Sequence, residues 1–126
     1  MGDASLPRPS EAFEVVQDDK GVKVAVYLVP GKGDSGTLEH LLLRAVFATL
    51  PNLEKCLDEF SGCIKAPKAP NMNVEAKRKM SALSAMFCTE NPWCSANLMW
   101  SDKGNPVPID SPSFKHLWDF IAAFIA

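Results

Sequence analysis

The strongest constraint on the fold is an eight-residue run, Val22-Lys23-Val24-Ala25-Val26-Tyr27-Leu28-Val29, which is almost continuously apolar. β-Branched and aromatic side chains suit a pleated strand, and a strand that is apolar on both faces needs cover above and below. Phe13-Glu14-Val15-Val16-Gln17 alternates well enough for a second strand, and Asp18-Asp19-Lys20-Gly21 between them has turn chemistry. The pair is predicted to form a β-hairpin. Two strands cannot bury their own edges, so the pattern demands helices, and it predicts pairing of an edge with a second copy of the chain or with a missing partner chain.

Helical spacing supplies four or five helices. Leu38, Leu41, Leu42, Ala45 and Val46 predict one over residues 36–49, and Leu53, Cys56, Leu57, Phe60 and Ile64 share a stripe of a second over 53–64. Pro51-Asn52 separates the two. The prolines of 67–73 make that stretch a linker, since each lacks an amide and holds its predecessor extended. A third helix over 74–88 is expected to bury Met80, Ala82, Leu83, Met86 and Phe87. Residues 93–100 suit a short helix and 102–107 an irregular loop. The last helix starts at Asp110 or Ser111 as N-cap with Pro112 in its first turn, and is expected to bury Phe114, Leu117, Trp118, Ile121, Phe124 and Ile125. The fold class is therefore α/β, a short hairpin or partial sheet packed with helices. Residues 1–12, with Pro7, Pro9 and Ser10, form a flexible arm, and residues 13–126 form one domain.

The formal charge of −2 gives no global pull towards nucleic acid or anionic membranes. No apolar run approaches the roughly 20 residues of a bilayer span. Residues 1–9 lack the basic flank and apolar core of a secretory signal, so a cytoplasmic protein is predicted. The four cysteines contain no Cys-x-x-Cys pair, and their spacing does not suit zinc. Cys56 and Cys63, seven apart on one helix face, are expected in the core, while Cys94 beside Trp93 is the most reactive.

Chemistry is most expected at the C-terminal end of the apolar strand, where loops vary on a rigid base. Gly31, Lys32, Gly33, Gly36 and Thr37 precede a helix whose unpaired amides and dipole suit a phosphate. The run is neither a Walker A loop nor a dinucleotide fingerprint in register, and a flexible strand-to-helix connection capped by Ser35 or Thr37 is the favoured reading. Glu39 and Asp34 are candidate magnesium ligands, although magnesium wants two or more hard oxygens on one rigid edge. Gly33-Asp34-Ser35-Gly36 begins like a serine-protease nucleophile loop, but Thr37 follows and no histidine precedes Ser35. Lys65, Lys68, Lys77, Arg78 and Lys79 form a basic patch opposed nearby by Glu75, a candidate nucleic-acid surface without aromatics for base stacking.

Residues 22–43, the proline-flanked helix 74–88 and the segment 109–121 together resemble the C-terminal half of an uncharacterised bacterial and archaeal family. That family is related to Toprim (topoisomerase-primase) domains and overcoming-lysogenization-defect nucleases. The anchors are Pro30 followed by Gly36-Thr37-Leu38-Glu39, and the Asp110-Ser111-Pro112-Ser113-Phe114 helix start. The resemblance implies a Toprim-like sheet and a magnesium-dependent site whose catalytic Glu and Asp-x-Asp lie in an N-terminal half with no counterpart here. Gly31 and His40 stand where relatives carry acids, leaving Glu39 alone of that set. The implied protein is a remnant without catalytic residues of its own, acting as an interaction or nucleic-acid-associated module. The alternative is a magnesium-dependent phosphoryl-transfer enzyme completed by a missing N-terminal partner chain.

Overall fold

The computed structural model describes residues 5–90, 92 and 99–126. The reactive-thiol expectation for Cys94 and most of the helix expected over 93–100 lie outside the described residues. Those described form a mixed α/β, helix-dominated fold. Where the sequence suggests one domain over 13–126, the chain groups into two compact units, residues 1–35 with 115–126, and residues 36–114.

In the first unit, β1 (Val15–Gln17) pairs antiparallel with β2 (Lys23–Ala25), placing Val16 opposite Val24. The Asp18 carboxylate builds the turn by accepting from the amides of Lys20 at 2.9 Å and Val22 at 2.8 Å, with Gly21 at φ +83°. The expected hairpin is present, but its second strand is three residues long, not eight. The ladder ends at Ala25; beyond it Phe13, at φ +68°, donates its amide to Val26 O at 2.7 Å, and Val26, Leu28 and Val29 are exposed.

The same unit contains the terminal helix, named α4 (Lys115–Ile125). Its last carbonyls have no partners within the helix, and Lys23 of β2 donates to Phe124 O at 3.3 Å and Ala126 O at 2.5 Å. A cation at this negative helix end is favourable. No side chain of α4 is fully buried: Trp118, Ile121 and Ile125 are exposed, while Leu117, Phe120 and Phe124 are half-buried. The expected apolar face exists, but only Phe114 of the predicted set, in the preceding 3-10 turn Pro112–Phe114, reaches a core.

The second unit holds that core. Helix α1 (Leu38–Thr49) contributes Leu41, Leu42, Leu43, Ala45 and Val46, and packs on α3 (Met72–Phe87) through Ala76, Met80 and Leu83. Leu42, Val46 and Leu83 are sealed from solvent. Helix α3 starts two residues earlier than its periodicity suggests, because the Asn71 side chain accepts from the Val74 amide at 3.0 Å. Met86, expected inside, is 80% exposed. Helix α2 (Asn52–Cys63) leans on the core only through half-buried Leu53 and Leu57, and none of its residues is buried. Cys56 and Cys63 are therefore surface thiols, against expectation, whereas Cys88 is buried. Among the described residues no helix is long and apolar enough to cross a membrane.

Candidate functional site

The strand-end loop is built by local turns. Gly31 is buried at φ +155°, and the Asp34 amide donates to its carbonyl at 3.1 Å. A Cβ at Gly31 would meet Asp34 Oδ2 at 3.3 Å and the Tyr27 hydroxyl at 3.4 Å, so glycine fits the space between them. Lys32 and Gly33 are exposed on this turn. Tyr27, the chain's single tyrosine, shares a hydrogen bond of 3.1 Å with His116 Nδ1 and packs against the rings of Phe13 and Phe120. Burial, with a smaller push from the Asp34 carboxylate, raises the Tyr27 phenol above its ordinary value. This Tyr27–His116 contact escapes sequence reasoning, since its halves lie 89 residues apart. It supplies a proton-bearing pair within the small aromatic core of the first unit.

Gly36, Thr37 and Glu39 belong to the second unit, so the loop read as one phosphate cradle is divided between the units. The first amide of the cradle is already committed: Thr37 N–H donates to His40 Nδ1 at 2.9 Å, a histidine taking the place Glu or Gln usually holds in a capping box. Gly36 makes room for that ring. It sits at φ +123°, and a Cβ there would lie 2.7 Å from the imidazole. Glu39 is half-buried, and its carboxyl is held below the usual carboxylate range. The Thr37 hydroxyl lowers it most, burial opposes, and Lys77 and His40 add a smaller electrostatic pull. Asp34 and Glu39 lie in different units, and among the described residues no group of three or more His, Cys, Asp or Glu is placed to hold a metal.

The basic patch is also redistributed. Lys79 is not an open cation: its ammonium lies 3.3 Å from Glu54, 3.3 Å from Asp58 and 3.9 Å from Glu75, and only 15% of its side chain is exposed. Burial works against its charge, but Asp58 and Glu54 outweigh it and lift Lys79 above the ordinary lysine value. Two of these acids come from α2, so sequence proximity reveals Glu75 alone. Lys77 is exposed and electrostatically coupled to Glu39. Arg78 donates to Pro67 O at 2.6 Å, tying the α2–α3 connection to α3. Lys68 and Arg78 then line an open cleft of about 570 Å³ with Ser61, Asn71 and Glu75, while Lys65 is exposed just after α2.

The apolar edge of α2 beside α3 presents a different surface. Phe60 is 59% exposed and Ile64, its C-cap, 56%. With Leu57, Ala66, Pro67 and Ala82 they edge a second cleft of about 330 Å³. Compared with protein-family models, curated proteins and solved structures, the chain matches none of them.

Proposed function

We propose that the chain is an interaction module that binds protein through the exposed apolar edge of α2. The observation that carries this reading is a helix of 12 residues with no buried side chain and with Phe60 and Ile64 in solvent. Phe60 and Ile64 stand together at one cleft, and large apolar groups exposed side by side favour a covered state. The Thr37 amide is committed to His40 and the Glu39 carboxyl to the Thr37 hydroxyl, which weighs for a binding role over magnesium-dependent phosphoryl transfer. Toprim-like ancestry belongs to the same proposal, supported by the order of the Pro30, Gly36–Glu39 and Asp110–Phe114 motifs.

A nucleic-acid-associated role is the second reading, favoured by exposed Lys65, Lys68, Lys77 and Arg78. The test places a photo-crosslinking benzoylphenylalanine at position 60 in the expressed full chain and, as control, at exposed Lys55. Covalent adducts to protein at position 60 and not at 55 are expected. Their absence at normal expression overturns the interaction reading. Crosslinking to nucleic acid in their place establishes the second.

A further inference from the structure

Cysteine is among the residues most often buried, yet α2 carries two exposed thiols, Cys56 and Cys63. Seven residues apart, they lie within about 20° of one another around the helix. They are also roughly 10.5 Å apart along it. That distance exceeds the roughly 7 Å limit for bridging two Cα positions, so the two thiols of one α2 cannot join each other. Cys56, Phe60 and Cys63 follow the 4-3 spacing of a coiled-coil seam, with the two small thiols on the seam line, Phe60 beside it and Leu53 turned to the core.

Resting on the interaction reading above, we propose that the occupant of this face is a second copy of the chain, its α2 antiparallel to the first across a two-fold axis between Glu59 and Phe60. That operation sets Cys56 of each copy opposite Cys63 of the other. Two helices approach to about 8–10 Å, which leaves facing Cα atoms roughly 3.4–5.4 Å apart, so the wider half of that range suits a disulfide. A disulfide needs about 4.4–6.8 Å. The antiparallel sense opposes the helix dipoles favourably, whereas a parallel pair aligns them. Glu59 approaches its own copy near the axis, and Lys55 at 3.7 Å offsets its charge. The contact surface is one three-turn helix, about 18 Å long, small beside the roughly 1,200–2,000 Å² of stable complexes. The reduced dimer is therefore weak, and oxidation fixes it. A hydroperoxide takes the two facing thiols to one disulfide: the sulfurs lose two electrons and two protons, and the peroxide is reduced to an alcohol and water.

The test uses the full chain in a Cys94→Ser background, with folding checked by circular dichroism, and adds Cys56→Ser or Cys63→Ser. After cumene hydroperoxide, each single variant alone should remain monomeric on a non-reducing gel, because its thiol faces a serine. An equimolar mixture of the two should give a reductant-sensitive dimer. Phe60→Glu in the parent carrying both thiols should lower dimer yield roughly fivefold or more. Self-linking of the single variants with no mixed dimer overturns the antiparallel assignment, and equal linking in every combination reduces the effect to random collision. No dimer in any combination overturns the proposal. If benzoylphenylalanine at position 60 still captures a different protein, the interaction reading survives while the second copy is rejected as occupant.

Discussion

Asp102 organises the connection between α3 and the last turn from a single buried carboxylate. It accepts from the amides of Thr89 at 3.1 Å, Glu90 at 3.0 Å and Gly104 at 2.7 Å. Asp102→Ala would strip three amides of their acceptor at about 1–3 kcal/mol for each left dry, so a loss of roughly 3 kcal/mol or more is expected in urea unfolding. Gly104 is equally fixed, because a Cβ there would lie 1.8 Å from the Phe87 carbonyl oxygen. Only the bond to Gly104, two residues on, is local; 102–107 reads as irregular loop because the Thr89 and Glu90 amides and the Phe87 carbonyl lie more than ten residues away with no pattern of their own. Glu39 is legible as a first-turn acid, but its bonds are not. A carboxyl held below its unfolded value adds stability that is whole above about pH 4.3 and is lost as pH falls through the folded value. Glu39→Gln should therefore lower the unfolding midpoint at pH 7, with the two proteins converging once the pH has fallen below the folded value.

At the scale of elements, periodicity locates α1, α2 and α3 to within about two residues, because a repeating apolar stripe is a strong local signal. It does not say how deeply each stripe is covered. α1 is buried by α3 and the 3-10 turn, whereas α4, with an apolar stripe as dense, and α2, with a sparser one, have no buried residue. Trp118→Ala is thus expected to cost about 1–2 kcal/mol, below the roughly 3–5 kcal/mol of a sealed aromatic, since Trp118 is 44% exposed. Thermal or urea unfolding distinguishes the two. The N-cap of α3 lies inside the proline-rich segment, where composition argues for linker, yet Asn71→Ala should cost about 1 kcal/mol. Strand length is misjudged for a related reason. β-Propensity describes fit to a half-buried pleated surface, and Val26–Val29 lack the partner strand that would supply one.

For the whole molecule, the basic patch is the clearest case of charge read along the chain and changed in three dimensions. Lys77, Arg78 and Lys79 are consecutive, but α2 brings Glu54 and Asp58 to Lys79 and leaves the other two outward. Four cations of the patch, Lys65, Lys68, Lys77 and Arg78, remain exposed. Each phosphate contact contributes a slope of about −0.9 in log K against log salt on duplex DNA, so four contacts set a limit of roughly −3.6. Fluorescence anisotropy should give a slope no steeper than that and no preference among sequences. Lys77→Ala with Arg78→Ala should weaken binding and flatten the slope. Lys79→Met should leave DNA binding unchanged but lower stability at neutral pH, because Glu54, Asp58 and Glu75 lose their shared cation. With Lys79 raised above its unfolded value, its contribution is whole below about pH 10.4 and disappears as pH rises through the folded value. The stability gap between wild type and Lys79→Met should close only in strong alkali, and a DNA affinity that falls with Lys79→Met would return this lysine to the binding surface.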